Sequence, residues 1–420
     1  MNRVLVVGSH ITFPQGYAST RFVRLLSQGL VGVGVAIHVL VAGVSSERAS
    51  RDKGNLDGIT YEYAVGPLGK MAELLPRWLV YLIEMFCSIG RAQSYVRLAR
   101  ANAVIYYGDS ALHLLGLRAV CRLHRIPLIS FLVEWPPGDA GKPAWVKEND
   151  IGTYAPILQG GILTRVNALL FYRHLFRLSD GVVVISRFLE EKCEMELTRH
   201  SKSLPILRIP VLVSGNEAIR QDSNEGSDYF VFCAHLDGYP QDALFVVKAL
   251  GLVDSRTCKL VMVGGGSETT VRLIREEAER AGVAGRVVFQ RDYLSDTDLA
   301  SLYRNAAGLL APVFCDERSL ARFPSKIADY LLSGTPVISG AFGEVGEYLK
   351  DGESAFLTTN QSTSAFALKI SEALSSRERA TRVGAAGSRL ALSEFCSLKH
   401  GIRLSRFLEE IGSKFWRSKR

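Results

Sequence analysis

The sequence predicts an α/β protein made of two doubly wound, Rossmann-like parallel-sheet domains. Three observations lead there. Short apolar runs alternate with longer helical patterns along the chain. The alternation is interrupted once, at the polar segment QDSNEGSD (221–228), and then restarts. With 420 residues, 47% of them hydrophobic, the chain is long enough for two or three domains with cores of their own.

In the first half the strand candidates are RVLVVGS (3–9), VAIHVLVAG (35–43), ITYEYAV (59–65), AVIYYG (103–108), LISFLVE (128–134) and GVVVIS (181–186). Helical patterns cover 19–31, 71–100, 110–124 and 160–178. In the second half the strands are YFVFCAH (229–235), KLVMVGG (259–265), RVVFQ (286–290), GLLAPV (308–313), PVISG (336–340) and SAFLTT (354–359), with three more helical stretches from about 362 to the end. Two such domains make a cleft, and ligands bind where strand carboxyl ends face it.

Charge is uneven. Residues 1–220 hold 25 Lys and Arg against 17 Asp and Glu, residues 221–400 hold 19 against 23, and the last twenty hold 6 against 2. A basic first half suggests an anionic partner, a membrane surface or nucleic acid. No Lys/Arg cluster or recognisable motif favours nucleic acid. The seven cysteines form no C-x-x-C pair, which fits reduced thiols in a cytoplasmic protein and suggests no metal site. The start, MNRVLVVGSH, reads as a strand and not as a signal peptide. Residues 25–44 approach spanning length, but Ser27, Gln28, four glycines and His38 interrupt them. RWLVYLIEMFCSIG (77–90) is too short and carries Glu84. No transmembrane helix is expected.

The stretch RFPSKIADYLLSGTPVISG (322–340) is the most informative. Pro324 suits a first helical position, Gly334 a left-handed stop, and Val337-Ile338 a short buried strand. Ser325, Lys326 and Asp329 share one helix face. The N-terminal end of that helix would attract a phosphate, and the acid one turn on would hold a sugar hydroxyl. A capped surface helix is the alternative.

With VVGSHITFPQGYASTR (6–21), LSDGVVVISRFLEE (178–191), LRIPVLVSG (207–215), VGGGSE (263–268) and GEVGEYLKDGESAFL (343–357), this stretch makes the chain resemble the group 1 family of retaining nucleotide-sugar glycosyltransferases over essentially its full length. The resemblance implies the GT-B fold. It places an acceptor-side domain at 1–220, a linker at 221–228, a nucleotide-sugar donor domain at 229–400 and a C-terminal helix at 401–420 that crosses back to the first domain. It also implies that the helix after Pro324 faces the donor diphosphate, with Asp329 on the ribose and Ser325 and Lys326 at the helix start.

Two departures stand out. The family commonly carries a glutamate eight positions before Asp329, where this chain has Ala321; Asp316 or Glu317 are the candidate substitutes. The family's Arg and Lys after the first donor-domain strand are replaced by AHLDGYPQD (234–242), with His235 near the Arg position. Phosphate charge then falls to Lys326 and Arg322, with Gly265 in the glycine loop. A leaving diphosphate gains charge in the transition state, and fixed cations lower that barrier.

In the first domain, Gly16 reads as a close backbone approach to phosphate or as a simple turn. Arg21 reads as reaching the same anion or as a surface salt bridge. Glu134, at a strand end, would hold an acceptor or sugar hydroxyl, or pair structurally. Trp135 stacks on a sugar or is core. Segments 77–100 and 165–180 mix apolar residues with Arg, as lipid-facing helices do; core helices with snorkelling arginines are the other reading.

The expected partners are a nucleotide sugar, a glycan or lipid-linked acceptor and an anionic membrane surface, with no cofactor, no metal and no nucleic acid. The expected activity is transfer from a UDP- or GDP-sugar in polysaccharide or glycolipid synthesis, on the cytoplasmic side. A sugar-nucleotide epimerase or hydrolase, or a non-catalytic sugar-nucleotide-binding protein, are the alternatives.

Overall fold

The computed structural model describes residues 2–9, 11–16, 18–44, 52–66, 75–135, 146, 149, 162–214, 228–292 and 294–417. Two compact units divide the chain. The first holds 1–136, 160–215 and 396–420; the second holds 137–159 and 216–395.

The first unit alternates as its apolar runs predict: β1 (Arg3–Gly8), α1 (Ala18–Gly32), β2 (Ala36–Val44), β3 (Lys53–Leu56), β4 (Ile59–Val65), α2 (Arg77–Ala99), β5 (Ala103–Tyr107), α3 (Ala111–His124), β6 (Leu128–Leu132), α4 (Ile162–Leu178), β7 (Gly181–Val184), α5 (Arg187–Arg199) and β8 (Ile206–Arg208). The sheet order is β3-β4-β2-β1-β5-β6-β7-β8. All neighbours are parallel except β3, which runs antiparallel to β4. The strand reading of the sequence lacks β3, whose four residues KGNL carry no apolar alternation.

The second unit holds β9 (Tyr229–Cys233), α6 (Pro240–Gly251), β10 (Lys259–Val263), α7 (Glu268–Arg280), β11 (Val287–Gln290), α8 (Asp296–Arg304), β12 (Gly308–Ala311), α9 (Glu317–Ala321), α10 (Ser325–Leu332), β13 (Val337–Gly340), α11 (Gly343–Tyr348), β14 (Phe356–Thr358), α12 (Thr363–Ser375) and α13 (Arg377–Glu394). Its six strands are parallel in the order β11-β10-β9-β12-β13-β14. The strand order reverses at β1 in the first sheet and at β9 in the second, so ligand crevices are expected at the carboxyl ends beside them.

Two boundaries differ from the sequence reading. The last helix, α14 (Ser397–Arg417), belongs to the first unit from residue 396, not 401. It packs on α1, and Leu404, Phe407, Leu408 and Ile411 join the core of Val4, Val39 and Ile105. Val146 and Asn149 belong to the second unit although they lie in the first half of the chain. Val146 is buried in that unit's core. Asn149 accepts from the Thr363 N–H at 2.7 Å and donates to the Gln361 carbonyl at 2.9 Å. Chain order hides this reach, because two short anchors suffice for it. Of the expected linker, residues 221–227 lie outside the described residues.

All seven cysteines are free. Among the described residues, no helix is long and apolar enough to cross a membrane.

Candidate active site

The second-unit candidates gather at the carboxyl ends of β9, β10 and β12. The stretch after β12 folds as two short helices. Asp316 caps α9, accepting from the Ser319 N–H at 2.9 Å and the Ser319 hydroxyl at 3.2 Å. That carboxylate is engaged in holding its own helix. Ala321, 3% exposed, ends α9.

Pro324 sits one residue earlier than expected, as the residue before α10, with φ −58° and ψ 115°. No side chain caps this helix start. Among the described residues, neither the N–H nor the side chain of Ser325 or Lys326 makes a hydrogen bond or ion pair. Uncapped N–H groups and an unpaired half-buried ammonium therefore stand together at a positive dipole end, which is an anion-binding arrangement.

Asp329 lies one turn on. It is half-buried, with one carboxylate oxygen out of solvent, rather than facing the surface. Its charge adds to the burial that raises the neighbouring Tyr303 and Tyr330 phenols. Tyr330 fixes α10 to the sheet, because its hydroxyl accepts from the Cys233 N–H at 2.9 Å. Gly334 has φ +76°, the left-handed stop that the sequence predicts.

The loop after β9 turns at His235, whose carbonyl accepts from the N–H groups of Gly238 and Tyr239 at 2.9 and 3.1 Å. His235 itself is exposed. Asp237 ties this loop to the glycine loop. It accepts from the Ser267 hydroxyl at 2.9 Å, the Ser267 N–H at 3.0 Å and the Thr270 hydroxyl at 2.5 Å. Burial opposes its ionisation, but the bonds from Thr270 and Ser267 outweigh burial and hold its carboxyl below the usual range.

Arg318 donates to the Gly238 carbonyl at 2.6 Å and lies over the Tyr239 ring at 4.6 Å. Arg322 donates to the Tyr239 hydroxyl at 3.3 Å. Sequence reasoning missed Arg318, Tyr239 and Asp237. The usable signal was the four-residue spacing of Arg318 and Arg322. It also missed Glu344, only 2% exposed at the start of α11; nothing in the sequence separates it from Glu347.

The glycine loop divides its work. Gly264, at φ +134°, would place a Cβ 2.0 Å from the Ala234 carbonyl oxygen, so a side chain is excluded there. Gly265, the expected ligand glycine, has nothing within 4 Å of that position. Its missing side chain leaves open space.

Near α6, burial pushes the Asp242 carboxyl up to about 7, against the pull of Arg318 and Arg322 and with Asp316 adding to the rise. Such a group binds more protons folded than unfolded. Its charge therefore costs stability as pH climbs from about 4, the unfolded value, to about 7. Asp242→Asn is expected to flatten this slope and add about 1–3 kcal/mol at about pH 8, with little gain at about pH 4. Urea midpoints at both pH values check it, and an equal gain at both would rule the carboxyl out as the source.

In the first unit, Gly16 lies in the loop after β1. A Cβ there would fall 2.3 Å from the Thr12 hydroxyl and 2.8 Å from the Thr12 carbonyl. The tight turn by itself requires glycine. Thr20 accepts from the Thr12 N–H at 3.0 Å, and the Tyr63 hydroxyl bridges Phe13 N–H and C=O, each at 3.0 Å. Arg21 follows in the first turn of α1, half-buried. Glu134 is exposed beyond β6, and its charge adds to the burial that raises Tyr107 at the end of β5. Trp135 packs near Tyr172, with ring centroids 6.0 Å apart. Among the described residues, no three His, Cys, Asp or Glu side chains cluster as metal ligands.

The family model described as Glycosyl transferases group 1 matches residues 227–376, the stretch that carries the uncapped α10 and its neighbouring loops. No curated protein sequence matches the chain.

Among solved structures, sucrose-phosphate synthase from Thermosynechococcus elongatus superposes with a TM-score of 0.72 at 15% identity, covering 99% of this chain and 100% of the synthase. HepE from Anabaena, in complex with UDP-glucose, gives 0.63 at 13% identity, with 97% and 99% covered. The E. coli trehalose-6-phosphate structure bound with UDP-2-fluoro glucose gives 0.65 at 10% identity, with 98% and 99% covered. The chain has the GT-B fold.

Proposed function

We propose that the protein is a retaining hexosyltransferase that moves a sugar from a UDP-sugar to a hydroxyl of a glycan or lipid-linked acceptor, without a metal ion. A GDP-sugar is the alternative donor. The observation that carries this reading is the start of α10, where the free N–H groups of Ser325 and Lys326 meet an unpaired ammonium. The diphosphate takes this place. Arg322 and the dipole add positive charge as the leaving group gains negative charge. Asp329 holds ribose hydroxyls, and the open space at Gly265 admits the donor. His235 stands beside it in the turn after β9.

The choice of UDP leans on the relatives, whose structures hold UDP-glucose or its fluoro analogue. Assignment of Gly16 and Arg21 to phosphate, and of Glu134 to an acceptor hydroxyl, belongs to the same proposal. So do the role in cell-surface polysaccharide or glycolipid synthesis and the peripheral place on a cytoplasmic membrane face.

The test is titration calorimetry with UDP- and GDP-sugars on Asp329→Ala. A lost charge-assisted hydrogen bond costs about 1–3 kcal/mol of donor affinity. Because Asp329 is half-buried, the melting temperature is read alongside. Unchanged affinity in a folded variant removes Asp329 from the site. Incubation with donor alone separates the rivals, since an epimerase or hydrolase converts the nucleotide sugar without an acceptor.

A further inference from the structure

Three helices of the first unit, α2, α3 and α4, form a layer on its sheet, and their outer side is apolar where a soluble surface is usually polar. Phe86 is 65% exposed, Leu115 54%, Leu112 48% and Leu123 66%. Between them runs a groove of about 350 Å³, whose walls include Phe86, Ile89, Leu112, Leu115 and Leu178. Leu112, Leu115 and Ala119 recur at helical spacing along α3, so this is a stripe and not scattered residues. Trp78 on α2, and Val166 and Leu169 on α4, are exposed as well.

Hydrogen bonds tie the layer together where the three helices start. The hydroxyls of Tyr81 and Ser110 bond to each other. The Asn167 amide donates to the Tyr81 hydroxyl at 3.0 Å and accepts from the Leu112 N–H at 3.3 Å.

The three helices are predominantly basic, and with Arg118 paired to Asp180 it is Arg122 that leaves positive charge at the groove. The three helices carry eight arginines and a single acid, Glu84. Glu84 does not line the groove, whereas Arg118 and Arg122 do. Asp180 is engaged with Arg118, N to O 2.5 Å, with both side chains mostly buried. Arg122 is exposed at the rim. On the other flank of α4, a second groove of about 250 Å³ sets Trp135, Tyr172 and Phe176 beside Arg173, Arg177 and Lys202, with one acid, Glu196, which is paired to Arg199 at 2.6 Å. Aromatic rings next to cations on an apolar floor suit the boundary between headgroups and acyl chains.

We propose that the outer face of α2, α3 and α4 docks on an anionic phospholipid surface, with Phe86, Leu112 and Leu115 entering the headgroup boundary and the arginines meeting lipid phosphates. This deepens the peripheral-membrane part of the proposed function. The attachment is partly electrostatic and partly apolar. Added salt should therefore weaken binding without abolishing it, because screening acts on charge and not on apolar burial.

The experiment is flotation of the full chain with vesicles of phosphatidylcholine alone and of phosphatidylcholine with phosphatidylglycerol. Three results support the proposal: flotation with the anionic vesicles, partial retention in high salt, and loss by about tenfold or more in Phe86→Asp/Leu115→Asp. Arg122→Glu/Arg177→Glu should lower binding to anionic vesicles alone. Both pairs are exposed, and melting temperature and nucleotide-sugar binding should match the parent. Leu112→Ser/Leu123→Ser serves if the first pair fails to fold. Equal binding to both vesicle types, complete release by salt, or an apolar-pair variant that floats like the parent overturns the proposal. So does a parent dimer that the apolar pair dissolves without any lipid binding. Loss of nucleotide-sugar binding with flotation intact would count against the donor reading and leave the lipid surface standing.

Discussion

Lys326→Ala is expected to lower turnover by about 10²–10³-fold, the usual loss when one preorganised group aimed at developing charge is removed. The expectation follows from what the ammonium lacks. Among the described residues it has no ion pair and no hydrogen bond, although it is half-buried at a helix start that no side chain caps. A lysine in that position costs desolvation and recovers it only with an anion. Its removal should therefore leave stability unchanged or raise it, while catalysis falls. Affinity for the nucleoside part should change less than turnover, because the ammonium answers charge that grows in the transition state. Steady-state kinetics with the best donor, beside a thermal melt, checks this. Unchanged turnover with a lower melting temperature would make α10 a structural helix.

Gly401→Leu is expected to destabilise the first unit by about 3 kcal/mol or more, at the upper end of overpacking costs. A Cβ on Gly401 would stand 2.2 Å from the Gly29 carbonyl oxygen, and one on Gly29 would stand 2.0 Å from the Ser397 carbonyl oxygen. Both partners are backbone, which has no rotamer to relax. The crossing of α1 and α14 therefore has to open for any side chain. Opening it withdraws Leu404, Phe407, Leu408 and Ile411 from the core, and lifts Ile411 off Gly181 of β7, where a Cβ would stand 2.4 Å from the Ile411 side chain. Thermal unfolding and limited proteolysis of α14 report the loss. Gly285→Ala, with open space around it, is the control. A Gly401 variant that melts with the control would show that α14 contributes little to the unit.

The alternation of strands and helices was legible because each element carries its own period. Val4–Val7, Val104–Tyr106 and Leu128–Leu132 are fully buried runs, which a parallel sheet covered on both faces demands. The helix start after Pro324 was legible for a similar reason. Pro, Ser, Lys, Asp and Gly each have a local preference, and all point to one short helix. Other elements gave no such signal. α2 and α3 stop at Arg100 and Arg125, with φ of 52° and 54°, where sequence rules look for glycine. The reach of Val146 and Asn149 into the second unit rests on a few contacts far apart in sequence.

Within the candidate site, the sequence located the short helix and placed Ser325, Lys326 and Asp329 on one face of it, and the donor roles of these residues stay with the proposed function. The sequence alone therefore determined two parallel-sheet units and the positions of the glycine loop and of the short helix after Pro324. Only tertiary structure decided which side chains were already committed. Asp316 is spent on the α9 cap, Asp237 on Ser267 and Thr270, and Gly264 rather than Gly265 is the glycine that the chain itself requires. The same holds for the outer face of α2, α3 and α4, whose apolar residues read equally well as core. Periodicity records which residues are apolar, but which face finds a partner depends on what the rest of the chain packs against it.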